Sequence, residues 1–464
     1  MRIWALRQLR ESAGRYTASV AVVAIVSAFA VLLIESMEVL GRALSDSGLD
    51  QVQTIQEALG SVTGVFLGIA VVVAVLVIGN TFAMIYAGRL RDIALLRLVG
   101  ATTRQIRRTA LLDGVAVGLV GAAIGIVGGI LLSMGGLAYV SGQVGADIPF
   151  ALIPQLVVVP LLGGAIATTA SAFGGARKAS RIAPVEAGRL AGGGEQVPER
   201  AALVRTIVGI ALTAIGAVVL LIGLLLGLAS PLGVVVAFPG GVLSILGIVV
   251  GAPTFFPPVI RLASRLLPTS AAARLGGRNL GYHPLRTART LLAIVIGVTL
   301  ITMFTVAGQM VLASLRQGLG ADAESFAQGL NALLLAVYAL TSFSVVVAAI
   351  GVGSTLSMSV LQRRRELGVL RAVGLTTRQA RGMLLAESLL LAVVGVVIGL
   401  LLGTVYGFVG ANATVGSLGF IPPMLPLPFA GILVVGALVF GAAASLAPGA
   451  RASRVPPAEA LRAA

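Results

Sequence analysis

A long segment of mixed basic and apolar residues occurs twice in this chain. Residues 89–129 read RLRDIALLRLVGATTRQIRRTALLDGVAVGLVGAAIGIVGG, and residues 363–403 read RRRELGVLRAVGLTTRQARGMLLAESLLLAVVGVVIGLLLG. Position 89 pairs with position 363, an offset of 274 residues. Identical residues recur at this offset: Arg97 with Arg371, Gly100 with Gly374, and Arg104 with Arg378. A repeat that preserves spacing over such a length predicts two copies of one structural unit.

Each copy predicts a short basic helix, a break and a second helix. Arginines and apolar residues alternate up to Gly100, which can end a helix by taking a left-handed backbone conformation. Thr102 and Gln105 then have the spacing of a capping box, and Thr376 and Gln379 repeat it. The unit should therefore be helix, sharp break, capped helix.

Composition places this unit in a membrane protein. The chain of 464 residues is 58% hydrophobic and 11% charged, with mean hydropathy +1.04, whereas soluble domains carry about 25% charged residues. A membrane-spanning helix needs about 20 apolar residues. Ten windows qualify: 17–37, 61–87, 109–135, 152–175, 206–229, 232–257, 290–312, 330–358, 383–410 and 428–449. The prediction is an all-α integral membrane protein with ten transmembrane helices.

The distribution of basic residues predicts the orientation. If the N-terminus is cytoplasmic, 31 of the 33 Lys and Arg lie on the cytoplasmic side, and only Arg42 and Arg316 lie outside. This bias follows the positive-inside rule. Both termini should be cytoplasmic, with short outer loops at 38–60 and 313–329, in the plasma (inner) membrane of a bacterium. The net charge of +16 then lies beside anionic lipid headgroups, so membrane lipids are the expected partners and nucleic acid is not.

A second repeat sets the domain boundaries. The segment RKASRIAPVEAGR after the fourth window returns as RASRVPPAEALR at the C-terminus. Each half is thus four spans followed by a basic tail, and because four is even the halves are parallel. We predict four regions: a first repeat over 1–190, a cytoplasmic linker over 191–205, a two-helix spacer over 206–257 and a second repeat over 258–464.

Glycines and acids also recur within the repeat. The glycines fall every four residues, which lets another helix approach closely, so we expect helix packing at Gly121, Gly125, Gly129, Gly395, Gly399 and Gly403. The acids Asp113 and Glu387 lie near the cytoplasmic ends of their spans. They could pair with neighbouring arginines or take part in energy coupling, and the sequence leaves both open.

Sequence motifs for chemistry are absent. There is no G-x-x-x-x-G-K-[ST] phosphate loop, no cysteine and one histidine, His283. We expect no catalytic, cofactor or metal site on this chain, and therefore no enzyme activity of its own.

The motifs LRDIALLRLVGATTRQIRR with LLDG, RRRELGVLRAVGLTTRQARG with LLAESL, and ASRVPPAEALR resemble the FtsX-like permease family. This family supplies the membrane subunits of type VII ABC systems, including MacB-like and lipoprotein-releasing transporters. The ten-span layout is similar to the bacitracin-exporter type of permease.

The resemblance implies that a cytoplasmic coupling helix in each half docks into an ATPase subunit. The equivalent residues here are Arg91, Asp92, Leu96, Arg97, Gly100 and Arg104, with Arg365, Glu366, Leu370, Arg371, Gly374 and Arg378. It also implies two copies of a cytoplasmic ABC ATPase per chain, with ATP and Mg²⁺ on the ATPase, and one chain supplying the complete membrane part.

Family members often carry a large outer domain, whereas this chain has only short outer loops. We therefore predict a permease subunit that exports or extracts an amphipathic or hydrophobic compound such as a lipid, peptide or drug. The alternatives are an ATPase-driven transmembrane signalling scaffold and, third, a secondary transporter.

Overall fold

The computed structural model describes residues 13–46, scattered positions between 64 and 82, 90–144, 150, 152–179, 199–266, 271–282, 284–319 and 374–452. All regular structure in this part of the chain is helical. The α-helices are α1 (Ala13–Asp46), α2 (Leu90–Leu98), α3 (Thr103–Val144), α4 (Gln155–Ala179), α5 (Glu199–Gly227), α6 (Gly233–Ala263), α7 (Ala271–Tyr282), α8 (Pro284–Leu319), α9 (Thr377–Val415) and α10 (Leu427–Ala452). Two 3₁₀ turns, Ser264–Leu266 and Gly416–Leu418, follow α6 and α9.

Seven of these helices are long and apolar enough to cross a membrane. The stretches are Ser19–Ser36, Thr103–Ala138, Gln155–Arg177, Arg200–Gly227, Gly233–Ala263, Thr287–Val311 and Arg378–Val415, and α10 adds a shorter apolar stretch, Leu427–Val439. They coincide with eight of the ten predicted windows. Residues 330–358 lie outside the described residues, and only scattered positions of 61–87, all helical, lie inside them. The chain is a multi-pass membrane protein.

The described helices belong to two compact units. The first contains α1 to α4, and the second contains α5 to α10 apart from a few terminal residues of α6 and α8.

In the first unit, α3 packs between α1 and α4. A Cβ added at Gly121 would lie 2.7 Å from Val23 Cβ, and one at Gly129 would lie 2.8 Å from Val31 Cβ, both on α1. At Gly125 it would overlap the carbonyl oxygen of Ala24. Real Cβ atoms need more space than this, so the glycine face of α3 brings the two backbones together. About two turns before Gly121, on the same face of α3, Gly114 meets Ala172 of α4.

In the second unit, α9 makes the corresponding contact with α8. Its glycines face Ile294, Val298 and Thr302: a Cβ at Gly395 would lie 2.9 Å from Ile294 Cβ, and one at Gly399 would lie 2.6 Å from Val298 Cβ. Gly403 meets Thr302. Every described side chain from residue 291 to 302 is buried. This stretch of α8 is therefore enclosed by protein on all sides, which matches its mostly apolar sequence.

Helices α5 and α6 form the spacer hairpin. The turn between them is held by the Gly233 amide, which donates to the Ser230 carbonyl at 3.1 Å. Along the hairpin, Gly209, Gly216 and Gly223 of α5 recur every seven residues and face the backbone of α6. Small residues at this spacing let two helices cross at a shallow angle. The hairpin packs on α9 within the second unit, where Ala252, Phe256 and Ile260 join a buried cluster with Leu391 and Val394.

The buried side chain of Asn412 forms hydrogen bonds to the proline-rich segment that follows α9. The Asn412 amide nitrogen donates to the Ile421 carbonyl at 3.0 Å, and the Asn412 amide oxygen accepts from the Ile421 amide at 3.1 Å. Asn412 is fully buried. The match of Asn412-Ala-Thr414 to a glycosylation sequence is therefore fortuitous, since both polar atoms of the side chain are engaged inside the protein.

Candidate functional site

The first copy of the repeated unit turns sharply at Gly100, as the sequence predicts. Gly100 has φ of 102°, in the left-handed region that favours glycine. Its amide donates to the Arg97 carbonyl at 3.1 Å, and the Ala101 amide donates to the Leu96 carbonyl at 2.9 Å. These two bonds define a Schellman motif, which satisfies the last carbonyls of α2. The chain can then change direction within a few residues.

The capping box then starts α3. The Gln105 amide donates to Thr102 Oγ1 at 3.3 Å, and the Thr102 amide donates to Gln105 Oε1 at 2.9 Å. The predicted sequence of helix, break and capped helix is confirmed for this copy. The cap fixes the residue at which α3 begins, and it therefore fixes where α2 lies relative to the N-terminal end of α3.

The second copy repeats the described part of this geometry. Gly374 has φ of 106°. Thr376 caps α9 with both bonds of the box present, at 3.3 Å and 3.0 Å to Gln379. Leu375, between them, packs on Ala380, Met383 and Leu384. The predicted break and cap are thus confirmed here too, while the helix that precedes Gly374 lies outside the described residues.

Helix α2 presents an apolar surface, which we call the apolar tip and define as Leu95, Leu96, Leu98 and Val99. The exposed fractions of these side chains are 53%, 39%, 67% and 88% respectively. The other side of α2 is anchored by Ile93 and Ala94, which are buried. Exposed apolar groups are ordinary where lipid covers them. This group instead shares α2 and the start of α3 with arginines, in a segment too short and too charged to cross a bilayer.

The predicted docking residues fall into two groups. The first group is described: Leu96 and Arg104 are exposed, Arg97 is half-buried, Gly100 and Gly374 are the exposed turn residues, and Arg378 is exposed. The second group lies outside the described residues or side chains and consists of Arg91, Asp92, Arg365, Glu366, Leu370 and Arg371.

The two predicted acids lie on the helices that follow the breaks. Asp113 of α3 and Glu387 of α9 are buried, with exposed fractions of 7% and 3%. Glu387 Oε1 accepts a hydrogen bond of 2.9 Å from Asn279 Nδ2 on α7. Asn279 is not among the predicted site residues. Its sequence context matches that of Gln8 near the N-terminus, since each follows an arginine and precedes a leucine.

The described residues contain no group of three or more His, Cys, Asp or Glu side chains that could hold a metal ion. The arrangement of capped helix starts and exposed apolar and basic side chains is suited to binding another protein.

Comparison with protein families gives two matches on this chain. The FtsX-like permease C-terminal model matches residues 64–184 and 338–457, which together make up just over half of the chain. The two matched regions begin at positions 64 and 338, the same 274-residue offset as the internal repeat. Each match contains one copy of the repeated unit with its capped helix.

Curated relatives match over shorter regions. The macrolide export ATP-binding/permease protein MacB of Nitrobacter winogradskyi is 38% identical over 139 residues, covering 30% of this chain and 20% of that protein. An uncharacterized ABC transporter permease of Methanocaldococcus jannaschii is 28% identical over 144 residues, covering 30% and 35%. The uncharacterized ABC transporter permease YvrN of Bacillus subtilis is 33% identical over 152 residues, covering 32% and 34%. The chain thus spans between a fifth and about a third of these relatives. The two family matches, in register with the internal repeat, show that the chain belongs to the FtsX-like permease family and contains two copies of its C-terminal domain.

Proposed function

We propose that this chain is the permease subunit of a bacterial ABC exporter and that a separate ATPase subunit docks on its two repeated units. The observation that carries the proposal is the apolar tip, where Leu98 and Val99 are exposed by 67% and 88% at the end of a short basic helix. Contiguous exposed apolar side chains outside the lipid-covered part of a protein mark an interaction surface. Arginines around such a surface add contacts for acidic residues of a partner.

Helix α3 connects this surface directly to the membrane. It has 42 residues and begins at the capping box, so at about 1.5 Å per residue it is roughly 60 Å long. The hydrocarbon core of a bilayer is about 30 Å thick. One continuous helix can therefore carry a displacement of the docked ATPase through the membrane. Helix α9, with 39 residues, is suited to the same role in the second repeat.

The internal duplication supports the stoichiometry. With one docking unit in each repeat, one chain would bind two copies of the ATPase and form the complete membrane part. ATP and Mg²⁺ would be bound by those ATPase subunits, which supply the energy. In this proposal all ten predicted windows cross the bacterial plasma membrane, the repeats are parallel, and both termini are cytoplasmic.

The short outer loops bear on the substrate. The predicted loops at 38–60 and 313–329 are too short to fold as domains that grip a large substrate. The transported compound would then be amphipathic or hydrophobic and enter from the bilayer itself. The relative from Nitrobacter winogradskyi is a macrolide export protein by name, which is consistent with a compound of this class.

A paired substitution tests the docking. Leu96→Glu with Leu370→Glu places one buried charge in each ATPase contact, so the ATPase should no longer co-purify with the chain. Leu262→Glu is the matched control, since Leu262 is exposed by 65% beside Arg261 but lies outside the repeated unit. Retention of the ATPase by the paired variant would contradict the docking proposal. An outer-face protein partner with the ATPase would favour the signalling scaffold, and ion-driven transport without ATP would favour the secondary transporter.

A further inference from the structure

A buried carboxylate connects α7 to α9 in the second unit. Glu387, about three turns into α9, accepts the 2.9 Å hydrogen bond from Asn279 on the short helix that precedes α8. Only 3% of Glu387 is exposed. Removing a hydrogen bond from a buried polar group costs more than removing one from an exposed group. This contact should therefore determine where α7 lies on α9.

The packing around the pair leaves no room for displacement. A Cβ at Gly276, one turn before Asn279, would lie 2.9 Å from the Met383 carbonyl oxygen and 3.1 Å from Glu387 Cγ. Leu280, next to Asn279, is 2% exposed. The same face of α7 thus meets α9 through the close contact at Gly276 and, one turn later, through the Asn279–Glu387 bond.

The helix contacts give the register needed to find the counterpart in the first repeat. Corresponding glycines of α3 and α9 meet residues of α1 and α8 that are 271 positions apart. The three contacts are Val23 and Ile294 at Gly121 and Gly395, Ser27 and Val298 at Gly125 and Gly399, and Val31 and Thr302 at Gly129 and Gly403. The same offset pairs Arg7-Gln8-Leu9 with Arg278-Asn279-Leu280.

At these positions the two repeats differ in side-chain length, and the two differences are opposite in sign. Gln8 is one methylene longer than Asn279, whereas Asp113 is one methylene shorter than Glu387. The combined reach of amide and acid is therefore the same in both repeats. Asp113 is also buried, with 7% of its surface exposed. Residue 8 lies outside the described residues, so this correspondence rests on the sequence repeat and on the register of the contacts above.

We propose that Asn279 and Glu387 are a positioning pair that fixes α7 to α9. The pair joins α7, the segment before α8, to the long helix that begins at the docking unit. If the proposed function holds, the pair carries movement of the docked ATPase to that segment. The pair itself does not depend on that function.

Hydrogen–deuterium exchange of the purified chain in lipid nanodiscs, with no ATPase present, tests the pair. Asn279→Gln makes the combined reach one methylene too long and Glu387→Asp makes it too short, so each should raise the exchange rate over residues 271–282 about tenfold. The double variant Asn279→Gln with Glu387→Asp restores the combined reach and should return the rate to within about twofold of the original. Ser388→Ala, at the neighbouring buried position of α9, should leave the exchange of α7 unchanged.

Recovery of the original exchange rate in the double variant distinguishes a positioning role of the pair from a general loss of stability. Equal exchange rates in the single and double variants, or unchanged rates in the single variants, would overturn the proposal that the two residues position α7. If a single variant fails to fold, recovery of folded protein by the double variant is the equivalent supporting result, and failure of both overturns the proposal.

With the ATPase added, ATP should change the exchange of α7 in the original protein and in the double variant but not in the singles. A chain that binds no ATPase would refute the proposed function, while the exchange of the isolated chain still decides the pair.

Discussion

The Ser244 hydroxyl lies 2.8 Å from the Tyr406 hydroxyl and joins the spacer hairpin to α9. The residue at the corresponding place in the first repeat, 274 positions earlier, is Leu132, whose side chain is 61% exposed. The repeats therefore differ on this face of their long helices. One carries a polar anchor for the spacer, and the other carries an apolar side chain suited to lipid.

Removal of this anchor should weaken the seating of the spacer. Tyr406→Phe and Ser244→Ala should each lower the free energy of unfolding by about 1 kcal/mol, the net value of one buried hydrogen bond. The double variant should cost less than the sum of the two single variants, since both remove the Ser244–Tyr406 bond, while Ser244→Ala also removes the bond to the Gly241 carbonyl at 3.0 Å. Unfolding in mixed micelles followed by circular dichroism measures the three values, and simple additivity would show that the two hydroxyls act independently.

The glycine face of α3 predicts a sharp difference between two neighbouring positions. A methyl group at Gly125 would overlap the Ala24 carbonyl oxygen, whereas one at Gly128 would meet nothing within 4 Å. Gly125→Ala should therefore destabilise the protein by about 1–3 kcal/mol through overpacking. Gly128→Ala should be neutral or slightly stabilising, because alanine favours the helix. Equal unfolding free energies for the two variants would contradict the close contact between α1 and α3.

Asn412 should control the order of the proline-rich segment. Asn412→Ala leaves the buried Ile421 amide without its acceptor, at a cost of about 1–3 kcal/mol, so amide exchange around residue 421 should rise roughly tenfold or more. Thr414→Ala is the control, because the Thr414 hydroxyl donates to the Gly410 carbonyl of the same helix at 2.8 Å. Unchanged exchange at residue 421 in Asn412→Ala would show that prolines alone order the segment.

The absence of cysteine from the sequence allows a direct test of the proposed orientation. Leu98→Cys and Phe420→Cys each place one thiol on an exposed side chain, with exposed fractions of 67% and 62% before substitution. A membrane-impermeant maleimide should label Phe420→Cys in intact cells and Leu98→Cys only after the membrane is permeabilised. The reverse pattern would invert the proposed topology.

The sequence predicted the local structure of the repeated unit because short-range rules determine it. A glycine at φ of 102° and a threonine–glutamine box at the next helix start depend on a few neighbouring residues. Eight of the ten apolar windows, those within the described residues, are equally predictable, since span length is fixed by the bilayer.

The contact between Glu387 and Asn279 is less predictable because the two residues lie on distant segments. Glu387 and Asn279 are 108 residues apart in the chain. The pairing of the two acids with nearby arginines, or their role in coupling, stays a prediction. Gln8 and Asn279 occur in matching sequence contexts, each between an arginine and a leucine. Aligning them requires an offset of 271 residues, which the helix contacts supply and the repeat offset of 274 does not. Similarly, Tyr406 corresponds to Leu132 in the first repeat, so the internal repeat does not indicate that Tyr406 holds the spacer.

The most direct test of the central claim is native mass spectrometry of the complex released gently from its own membrane. We predict one copy of this chain with two copies of a nucleotide-binding ATPase, and loss of both copies in the Leu96→Glu, Leu370→Glu variant. A complex that contains this chain without any ATPase would contradict the claim that the repeated units are docking sites for an ABC ATPase.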